Sequence, residues 1–318
     1  MSRSSTVALA VSRLLVPPLT STAYKGQAGK VAVFGGCAEY TGAPFYAALA
    51  ALKVGADLSH VFCDDAAAVP IKSYSPELIV HGCLQSGDET DVQRITEQAD
   101  EVSKWFPALT ALVVGPGLGR DAALQAVARL VVERAVAASM PCVLDADGLR
   151  LVLEHPKLVA GAEWVVLTPN KPEFGRLVAA FLPDADCSDE GEMTAQLSRA
   201  LGGVTIVRKG PIDLISDGES TVLCEEEGSL KRSGGQGDVL AGTAATLLSW
   251  AKARQAVLPK EAPPAPIVAA ATACMLTRRC SKYAFAKHRR AMTAPDVIDA
   301  IGEVFEEFSP AASGADDA

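Results

Sequence analysis

A run of small residues carries the clearest chemical signal in this 318-residue chain. The run Ser233-Gly234-Gly235-Gln236-Gly237-Asp238 comes directly before an apolar stretch that has the pattern of a helix. Glycines at the start of a helix turn several backbone N–H groups toward one point, where the helix dipole also favours negative charge. The segment therefore predicts a phosphate cradle. It is not a P-loop, because no Lys-Ser/Thr pair follows the glycines, and Leu240 stands where a GxGxxG turn has its last glycine.

Asp238 stands in the first turn of that predicted helix, where the dipole is expected to keep its carboxylate ionised at neutral pH. An ionised carboxylate beside a phosphate cradle can accept the proton of a substrate hydroxyl as that hydroxyl attacks a γ-phosphate. The competing interpretation is structural, because an aspartate at the start of a helix commonly serves only as a cap.

Two other polar segments follow predicted strands. Asn170 and Glu173 are three residues apart at the start of a helix, which places both side chains on one face. They could hold Mg²⁺ through water, or they could be a plain capping arrangement. Lys209 could approach the phosphates while Gly210 lets the backbone come close to a nucleotide, the alternative being a solvated lysine. The four histidines show no metal-ligand spacing, so we expect no zinc site.

An α/β scaffold is predicted to position these segments. Short apolar runs bounded by turn residues are typical of buried strands, and they alternate with segments that have apolar residues at helical spacing. This alternation favours a mostly parallel sheet with helices on both faces. The predicted strands are 31–34, 58–63, 78–81, 111–114, 142–145, 164–167 and 204–207, and the predicted helices are 43–52, 91–106, 122–138, 173–181, 238–253, 266–286 and 293–308.

The sheet is predicted to end in an antiparallel hairpin, because residues 213–216 and 220–224 flank Asp217-Gly218, a dipeptide suited to a tight turn. We predict one domain over 11–308, a flexible segment at 1–10, an exposed loop at 259–266 and a disordered tail at 309–318. Ligands bind at the carboxyl ends of parallel strands. The polar and glycine-rich residues that follow five predicted strands should therefore line one cleft: 35–36, 115–119, 145–148, 168–173 and 209–210.

Composition narrows the class of protein. The chain is 49% hydrophobic and 21% charged, which is enough apolar side chain for a core. Its net charge of −9 argues against binding to nucleic acid or anionic lipid, and its apolar runs are too short for a membrane helix. The eight cysteines contain no CxxC pair and are expected to be reduced. The first 38 residues contain no acidic residue, and in this they faintly resemble a mitochondrial presequence. We favour instead an amphipathic first helix that packs on the domain, and a cytoplasmic location.

These segments together resemble the ribokinase-like superfamily, whose glycine-rich signature ends in a catalytic aspartate. Further motifs narrow the resemblance to the ATP-dependent NAD(P)H-hydrate dehydratases of eukaryotes, over about residues 11 to 308. The motifs are 25–29, 35–44, 71–78, 115–119, 145–148 and 168–170. The resemblance implies a three-layer α/β/α sandwich and an enzyme that restores NADH or NADPH from the S form of its hydrate, with ATP as phosphoryl donor and Mg²⁺ as cofactor.

In that family the substrate hydroxyl is phosphorylated and phosphate then leaves. Carried onto this chain, the resemblance makes Asp238 the catalytic base and places Gly235 and Gly237 around the transferred phosphoryl group. The residues expected to contact ATP are Lys209, Gly210, Pro211, Ile212, Asp213, Gly228, Ser233, Gly234, Gly235, Gln236 and Gly237. Those expected to contact the hydrated nucleotide are Tyr40, Ala43, Gly117, Asn170, Lys171, Pro172, Glu173, Phe174, Gly175, Arg176 and Asp238.

No epimerase domain is expected in this chain. The resemblance therefore implies that a separate epimerase, acting on the R form of the hydrate, is a functional partner. The protein could also form a homo-oligomer. Two other functions compete with the dehydratase. A small-molecule kinase acting on a hydroxymethyl group would release a stable phosphorylated product. A catalytically silent nucleotide-binding protein would be expected to lack Asp238 or the glycines, and both are present.

Overall fold

The computed structural model describes residues 11–87, 89–185 and 189–310. The predictions made for residues 1–10, for Cys187 and for the tail from residue 311 lie outside these ranges. No helix within them combines the length and the apolarity needed to cross a membrane. One domain over 11–308 stays a prediction.

A single sheet forms the centre of the described chain. Its strands are β1 (Lys30–Phe34), β2 (Leu58–Asp64), β3 (Ile79–Leu84), β4 (Ala111–Val114), β5 (Cys142–Leu144), β6 (Val165–Leu167), β7 (Thr205–Arg208), β8 (Asp213–Ser216) and β9 (Thr221–Cys224). They lie in the order β3-β2-β1-β4-β5-β6-β7-β8-β9, with parallel pairing from β3 to β7 and antiparallel pairing from β7 to β9. The predicted antiparallel edge is therefore confirmed.

Helices cover both faces of the sheet, because side chains alternate along each strand. In β1, Val31 and Val33 belong to one hydrophobic cluster, while Ala32 and Phe34 belong to the other. The first cluster includes α1 (Gly42–Val54), α2 (Asp65–Tyr74), α8 (Gln236–Arg254), α9 (Ala265–His288), α10 (Ala294–Asp299) and α11 (Ile301–Phe308). The second includes α3 (Val92–Ser103), α4 (Ala122–Ala137), α5 (Gly148–Glu154), α6 (Lys171–Phe181) and α7 (Glu190–Ala200). The predicted three-layer sandwich is confirmed.

Several helices differ from the sequence-based expectation. The short helices α2, α5 and α7 were not predicted, and α2 contains Pro70, which normally argues against a helix interior. The helix predicted over 293–308 is divided at Ala300 into α10 and α11. The loop predicted over 259–266 ends earlier, because α9 begins at Ala265, where Pro266 stands in its first turn and both residues are buried.

The topology brings loops from different strands to one edge. The chain changes direction across the sheet between β1 and β4, and the crevice at such a point is where open α/β sheets bind ligands. Gly115 follows β4 with a φ of +120°, and a Cβ atom there would lie 1.9 Å from the carbonyl oxygen of Asp145. Only glycine allows the loops after β4 and β5 to approach this closely. Helix α8 packs equally tightly on α1, since a Cβ atom at Gly242 would lie 1.9 Å from the carbonyl oxygen of Ala47.

Candidate active site

The start of α8 presents an array of backbone N–H groups. Gly235 is the N-cap, and the first intrahelical bond of α8 joins Val239 N to Gly235 O at 3.0 Å. The amides of residues 236–238 precede that bond and have no acceptor within the helix. Gly235 has a φ of +90°, and a Cβ atom there would lie 2.6 Å from Ala294 Cβ and 2.9 Å from Tyr46 Cδ2. A side chain at this position would therefore displace the turn that aims these amides.

The space in front of these amides can hold an anion. A Cβ atom at Gly237 would point toward the ammonium of Lys209, 3.4 Å away, and toward Asp145 Oδ2, 3.8 Å away. Helix amides and a nearby ammonium are donors that suit phosphate oxygens. The arrangement fits the terminal phosphates of a nucleotide.

A buried ion pair fixes the ammonium at this place. Lys209 follows β7 and donates to Asp145 Oδ1 at 2.8 Å, and Thr168 Oγ1 donates to the same oxygen at 2.7 Å. The Asp145 side chain is only 3% exposed and that of Lys209 is 20% exposed. Burial lowers the pKa of Lys209, but attraction to Asp145 and to other nearby carboxylates outweighs it and raises that pKa. Lys209 is therefore a permanent cation beside the start of α8.

Asp238 has a different protonation state from the one the sequence predicts. Burial raises the pKa of this half-buried carboxyl group to about 8, and repulsion from Asp145 acts in the same direction. Lys209 and the backbone amide of Asp238 lower the pKa, but by less. The prediction that the helix start keeps Asp238 ionised at neutral pH is therefore wrong, because burial and the neighbouring carboxylate outweigh the dipole.

Asn170 and Glu173 form a capping box at the start of α6. Asn170 Oδ1 accepts a hydrogen bond from Glu173 N at 3.0 Å, and Glu173 Oε2 accepts one from Asn170 N at 2.8 Å. Burial raises the pKa of Glu173, and the Asn170 amide and Lys209 partly offset that rise. The structural alternative is thus present, and a role with Mg²⁺ stays a prediction. The described part of the chain holds no group of three or more His, Cys, Asp or Glu suited to a metal.

Two cavities border the start of α8. The α9 cavity has a volume of about 470 Å³ and the β1–β4 cavity one of about 930 Å³. Gly237 lines the first and the next residue, Asp238, lines the second. The α9 cavity is lined by Asn170, Lys171, Pro172, Lys209, Gly210, Pro211, Asp213, Gly228, Ser229, Arg232, Gln236, Gly237, Leu240, Cys274, Thr277, Arg278 and Ser281. The β1–β4 cavity is lined by Cys37, Ala38, Glu39, Tyr40, Ala43, Asp64, Asp65, Ala66, Ser86, Gly117, Leu118, Gly119, Arg120, Asp121, Leu124, Ala146, Asp147 and Asp238.

The family model described as NAD(P)H-hydrate dehydratase matches residues 31–303 of this chain. The chain belongs to this family. It is 48% identical over 301 residues to the ATP-dependent (S)-NAD(P)H-hydrate dehydratase of Homo sapiens, covering 94% of this chain and 84% of that protein. It is 43% identical over 320 residues to the protein of the same name from Arabidopsis thaliana, covering 98% of this chain and 87% of that protein. The predicted membership of the NAD(P)H-hydrate dehydratases is confirmed.

The fold of these dehydratases is also seen in a more distant solved structure. The ADP/ATP-dependent NAD(P)H-hydrate dehydratase of Bacillus subtilis, co-crystallised with ATP/Mg²⁺, superposes with a TM-score of 0.67 at 20% identity. The match covers 95% of this chain and 97% of that one. At this identity the likeness concerns the fold.

In this family member, most of the residues predicted to contact ATP line a single cavity. Those that line the α9 cavity are Lys209, Gly210, Pro211, Asp213, Gly228, Gln236 and Gly237. Among the residues predicted for the hydrated nucleotide, Tyr40, Ala43, Gly117 and Asp238 line the β1–β4 cavity. Asn170, Lys171 and Pro172 were expected to lie on that side, but they line the α9 cavity, because α6 begins beside the turn that follows β7.

Other predicted residues line neither cavity. Phe174 is buried in the core, where its ring lies 6.0 Å from the guanidinium of Arg208, so the ring does not face the cleft. Ile212 lies on the outer side of the β7–β8 turn. The other predicted site residues that line neither cavity are Glu173, Gly175, Arg176, Ser233, Gly234 and Gly235.

Sequence reasoning missed the contribution of Asp145 to the charge of the site and the whole wall formed by α9. Arg278 and Ser281 of that helix line the α9 cavity, as does Arg232 in the loop before α8. The α9 residues lie more than forty positions after the β8 and β9 segments they touch, and their spacing is that of an ordinary helix face. No local motif marks them in this dehydratase.

Proposed function

We propose that this chain uses ATP to dehydrate the S form of hydrated NADH and NADPH, restoring NADH or NADPH and releasing ADP and phosphate. The junction at the start of α8 carries this proposal. Gly237 faces the α9 cavity and Asp238 faces the β1–β4 cavity, so a phosphate donor in one and a hydroxyl in the other would meet at adjacent residues.

The residues at the junction support a phosphoryl transfer followed by an elimination. Asp238 accepts the proton of the substrate hydroxyl while the hydroxyl oxygen bonds to the γ-phosphorus and the bond to ADP breaks. The amides of residues 236–238 and the Lys209 ammonium stabilise the charge of the transferring group, each well-placed donor contributing about 2–4 kcal/mol. The carbon–oxygen bond then breaks and phosphate leaves in place of hydroxide, while the adjacent ring carbon loses a proton to solvent and the C–H electron pair forms the ring double bond of the reduced nicotinamide. Proton transfer and charge stabilisation are thus assigned to neighbouring groups of one helix start.

Mg²⁺ would neutralise charge on the phosphates when bound. Asn170 and Glu173 are the residues we propose to hold its waters, since Asn170 lines the α9 cavity and Glu173 lies next to it in the capping box. Both side chains are already oriented by their bonds to the backbone. Removing either would disturb the start of α6 as well as the metal site.

The pKa of Asp238 sets a condition on this mechanism. A base must be deprotonated to accept a proton, and burial raises the pKa of Asp238 to about 8. Most of the free protein therefore holds a protonated Asp238 at pH 7. We expect kcat/KM to rise with pH up to about 8 and then to level off, because that parameter reports the ionisation of the free enzyme.

We further propose a functional partner and a location. The S form alone would be consumed here, so an epimerase that interconverts the R and S forms would let the whole pool of hydrate be repaired. The location we propose is the cytoplasm.

Asp238→Asn tests the proposed function. We expect the variant to lose turnover of the S hydrate while ATP affinity stays nearly unchanged, because asparagine keeps the shape of the side chain but cannot accept the proton. Recovery of the reduced-nicotinamide absorbance, with ATP or ADP and Mg²⁺, measures turnover of both hydrates. The matched control is Asp91→Asn, the same change at the exposed N-cap of α3, outside both cavities.

Three outcomes would contradict the proposal. Absence of recovery by the unmodified chain with either nucleotide would remove the dehydratase activity. A stable phosphorylated product in the mass spectrum would favour the small-molecule kinase. A nearly normal rate for Asp238→Asn would mean that Asp238 is not the catalytic base.

A further inference from the structure

The guanidinium of Arg278 is saturated by acceptors of this chain. Nε donates to Asp213 Oδ2 at 2.5 Å, and Nη2 donates to Asp213 Oδ1 at 2.7 Å and to Gly210 O at 2.6 Å. Nη1 donates to Pro211 O at 2.9 Å and to Glu226 O at 3.0 Å. An arginine side chain has five N–H donors, and these five bonds use all of them. None remains for a phosphate group, although Arg278 lines the α9 cavity.

The acceptors belong to two separate segments of the cavity wall. Gly210, Pro211 and Asp213 lie at the turn from β7 to β8, and Glu226 lies in the segment that follows β9. Asp213 Oδ1 also accepts a hydrogen bond from Gly210 N at 3.0 Å, which closes the turn on itself. Since the side chain of Arg278 is only 15% exposed and that of Asp213 8%, the pair ties both segments to α9 from within the protein.

We infer that Arg278 is a positioning residue that sets the distance between the β7–β8 turn and the segment after β9, and that it does not itself bind phosphate. This inference rests on the proposed function of the α9 cavity as the ATP site. Asp213 then acts through Arg278, because both of its oxygens are engaged, and does not contact ATP as the sequence predicts. Lysine cannot replace Arg278, since three donors on one nitrogen cannot reach the acceptors of a planar fork.

The neighbouring Arg279 offers a matched control. Its Nη2 atom donates to the side chain of Glu226 at 2.5 Å, and the Arg279 side chain is 40% exposed. The Glu226 side chain is 23% exposed, and a partly exposed ion pair of this kind contributes little to stability. Arg279→Lys therefore makes the same substitution one residue away, toward the same segment, without touching the buried fork.

Nucleotides of different phosphate number separate a positioning residue from a phosphate ligand. Calorimetry on Arg278→Lys, Arg279→Lys and the unmodified chain would give the Kd of adenosine, ADP and ATP. We expect Arg278→Lys to weaken all three by a similar factor, on the order of 10- to 100-fold, and Arg279→Lys to change none of them. A loss for ADP and ATP that leaves adenosine binding intact would overturn the inference, because it would identify a phosphate ligand.

Kinetics give a second readout. For Arg278→Lys we expect a raised KM for ATP, an unchanged KM for the hydrate, and a kcat at saturating ATP close to that of the unmodified chain. Ethylguanidinium at non-denaturing concentration should partly restore ATP affinity to Arg278→Ala by filling the vacated fork. If thermal melting shows that these variants do not fold, Asp213→Asn tests the same fork with a smaller change and should again weaken adenosine and ATP alike.

The failure of the proposed function and the failure of the inferred role of Arg278 would give different results. If the unmodified chain binds no nucleotide, the proposed function fails and the role of Arg278 fails with it. If the unmodified chain binds ATP and repairs the hydrate, but the folded Arg278 and Asp213 variants bind adenosine normally, only the role of Arg278 is refuted.

Discussion

Replacing Asp238 by asparagine should stabilise the protein by an amount that grows with pH. Burial is the main cause that raises the folded-state pKa of Asp238 from 3.8 to about 8, and repulsion from Asp145 contributes. The folded state therefore binds this proton more tightly than the unfolded state does. The stability associated with the proton is complete below about pH 4 and is lost as the pH rises through about 8. Asparagine cannot ionise, so the variant does not suffer this loss.

The size of the effect follows from the two pKa values. Each pKa unit corresponds to about 1.4 kcal/mol, and the rise from 3.8 to about 8 sets an upper bound of roughly 5–6 kcal/mol. Solvent reaches the half-buried side chain, so we expect the free energies of unfolding of the two proteins to diverge by about 2–4 kcal/mol between pH 5 and pH 9. In a chain of this length about 1 kcal/mol shifts Tm by roughly 2 °C, which predicts a divergence of about 4–8 °C.

Thermal melts at pH 5, 7 and 9 measure this divergence. The Tm of Asp238→Asn should rise relative to that of the unmodified chain at each increase in pH, and Asp91→Asn is the control for the same substitution at an exposed position. A constant offset for Asp238→Asn would refute the reasoning, since it would mean that the carboxyl group ionises as easily in the folded chain as in the unfolded one. A lowered pKa, as the helix dipole alone would produce, would also give a constant offset between pH 5 and pH 9, because the carboxyl group would then be ionised in both states over that range.

Gly237→Ala should reduce turnover with ATP by about 100-fold at an unchanged Tm, because the added methyl group would point toward the Lys209 ammonium and occupy space that the proposed phosphate needs in front of the amides. Gly234→Ala should reduce turnover by a smaller factor, since its Cβ atom meets nothing within 4 Å. Steady-state kinetics that show equal losses of turnover for the two variants would contradict the position of the cradle. Asp145→Asn should move the rising limb of the kcat/KM profile to lower pH, because its charge helps to raise the pKa of Asp238; an unmoved limb would contradict this coupling. Burial and a neighbouring histidine lower the pKa of His60 to about 4, so the unmodified chain should lose about 3 kcal/mol of stability as the pH falls from about 6.5 to 4. Melts at pH 7 and pH 5 should show a smaller loss for His60→Phe, and equal losses would count against the assignment.

Strands β4, β5 and β6 could be predicted from the sequence because each is a continuous apolar run that the sheet buries on both faces. Residues 111–114 show this most clearly, since all four are buried and the predicted and observed bounds coincide. The helices were harder to predict when they were short. Helix α5 has seven residues, too few to show helical spacing, and its formation depends on the close approach of the loops after β4 and β5.

Some features of the site depend on the local sequence and could be predicted from it, whereas others depend on contacts between residues that are distant in the sequence. The amides at the start of α8 are a local property, because a glycine N-cap leaves them without acceptors wherever such a helix is placed. The charge of Asp238 is not local, because it depends on Asp145 and Lys209, which reach the start of α8 only through the order of β5, β6 and β7 in the sheet. Arg278 is the extreme case, since its five acceptors come from two loops and its own helix gives no sign of them. A sequence motif can therefore locate a phosphate cradle, but the protonation state of the base beside it follows from the packed fold. For that reason the pH dependence of Asp238 tests the structure more directly than the loss of turnover does.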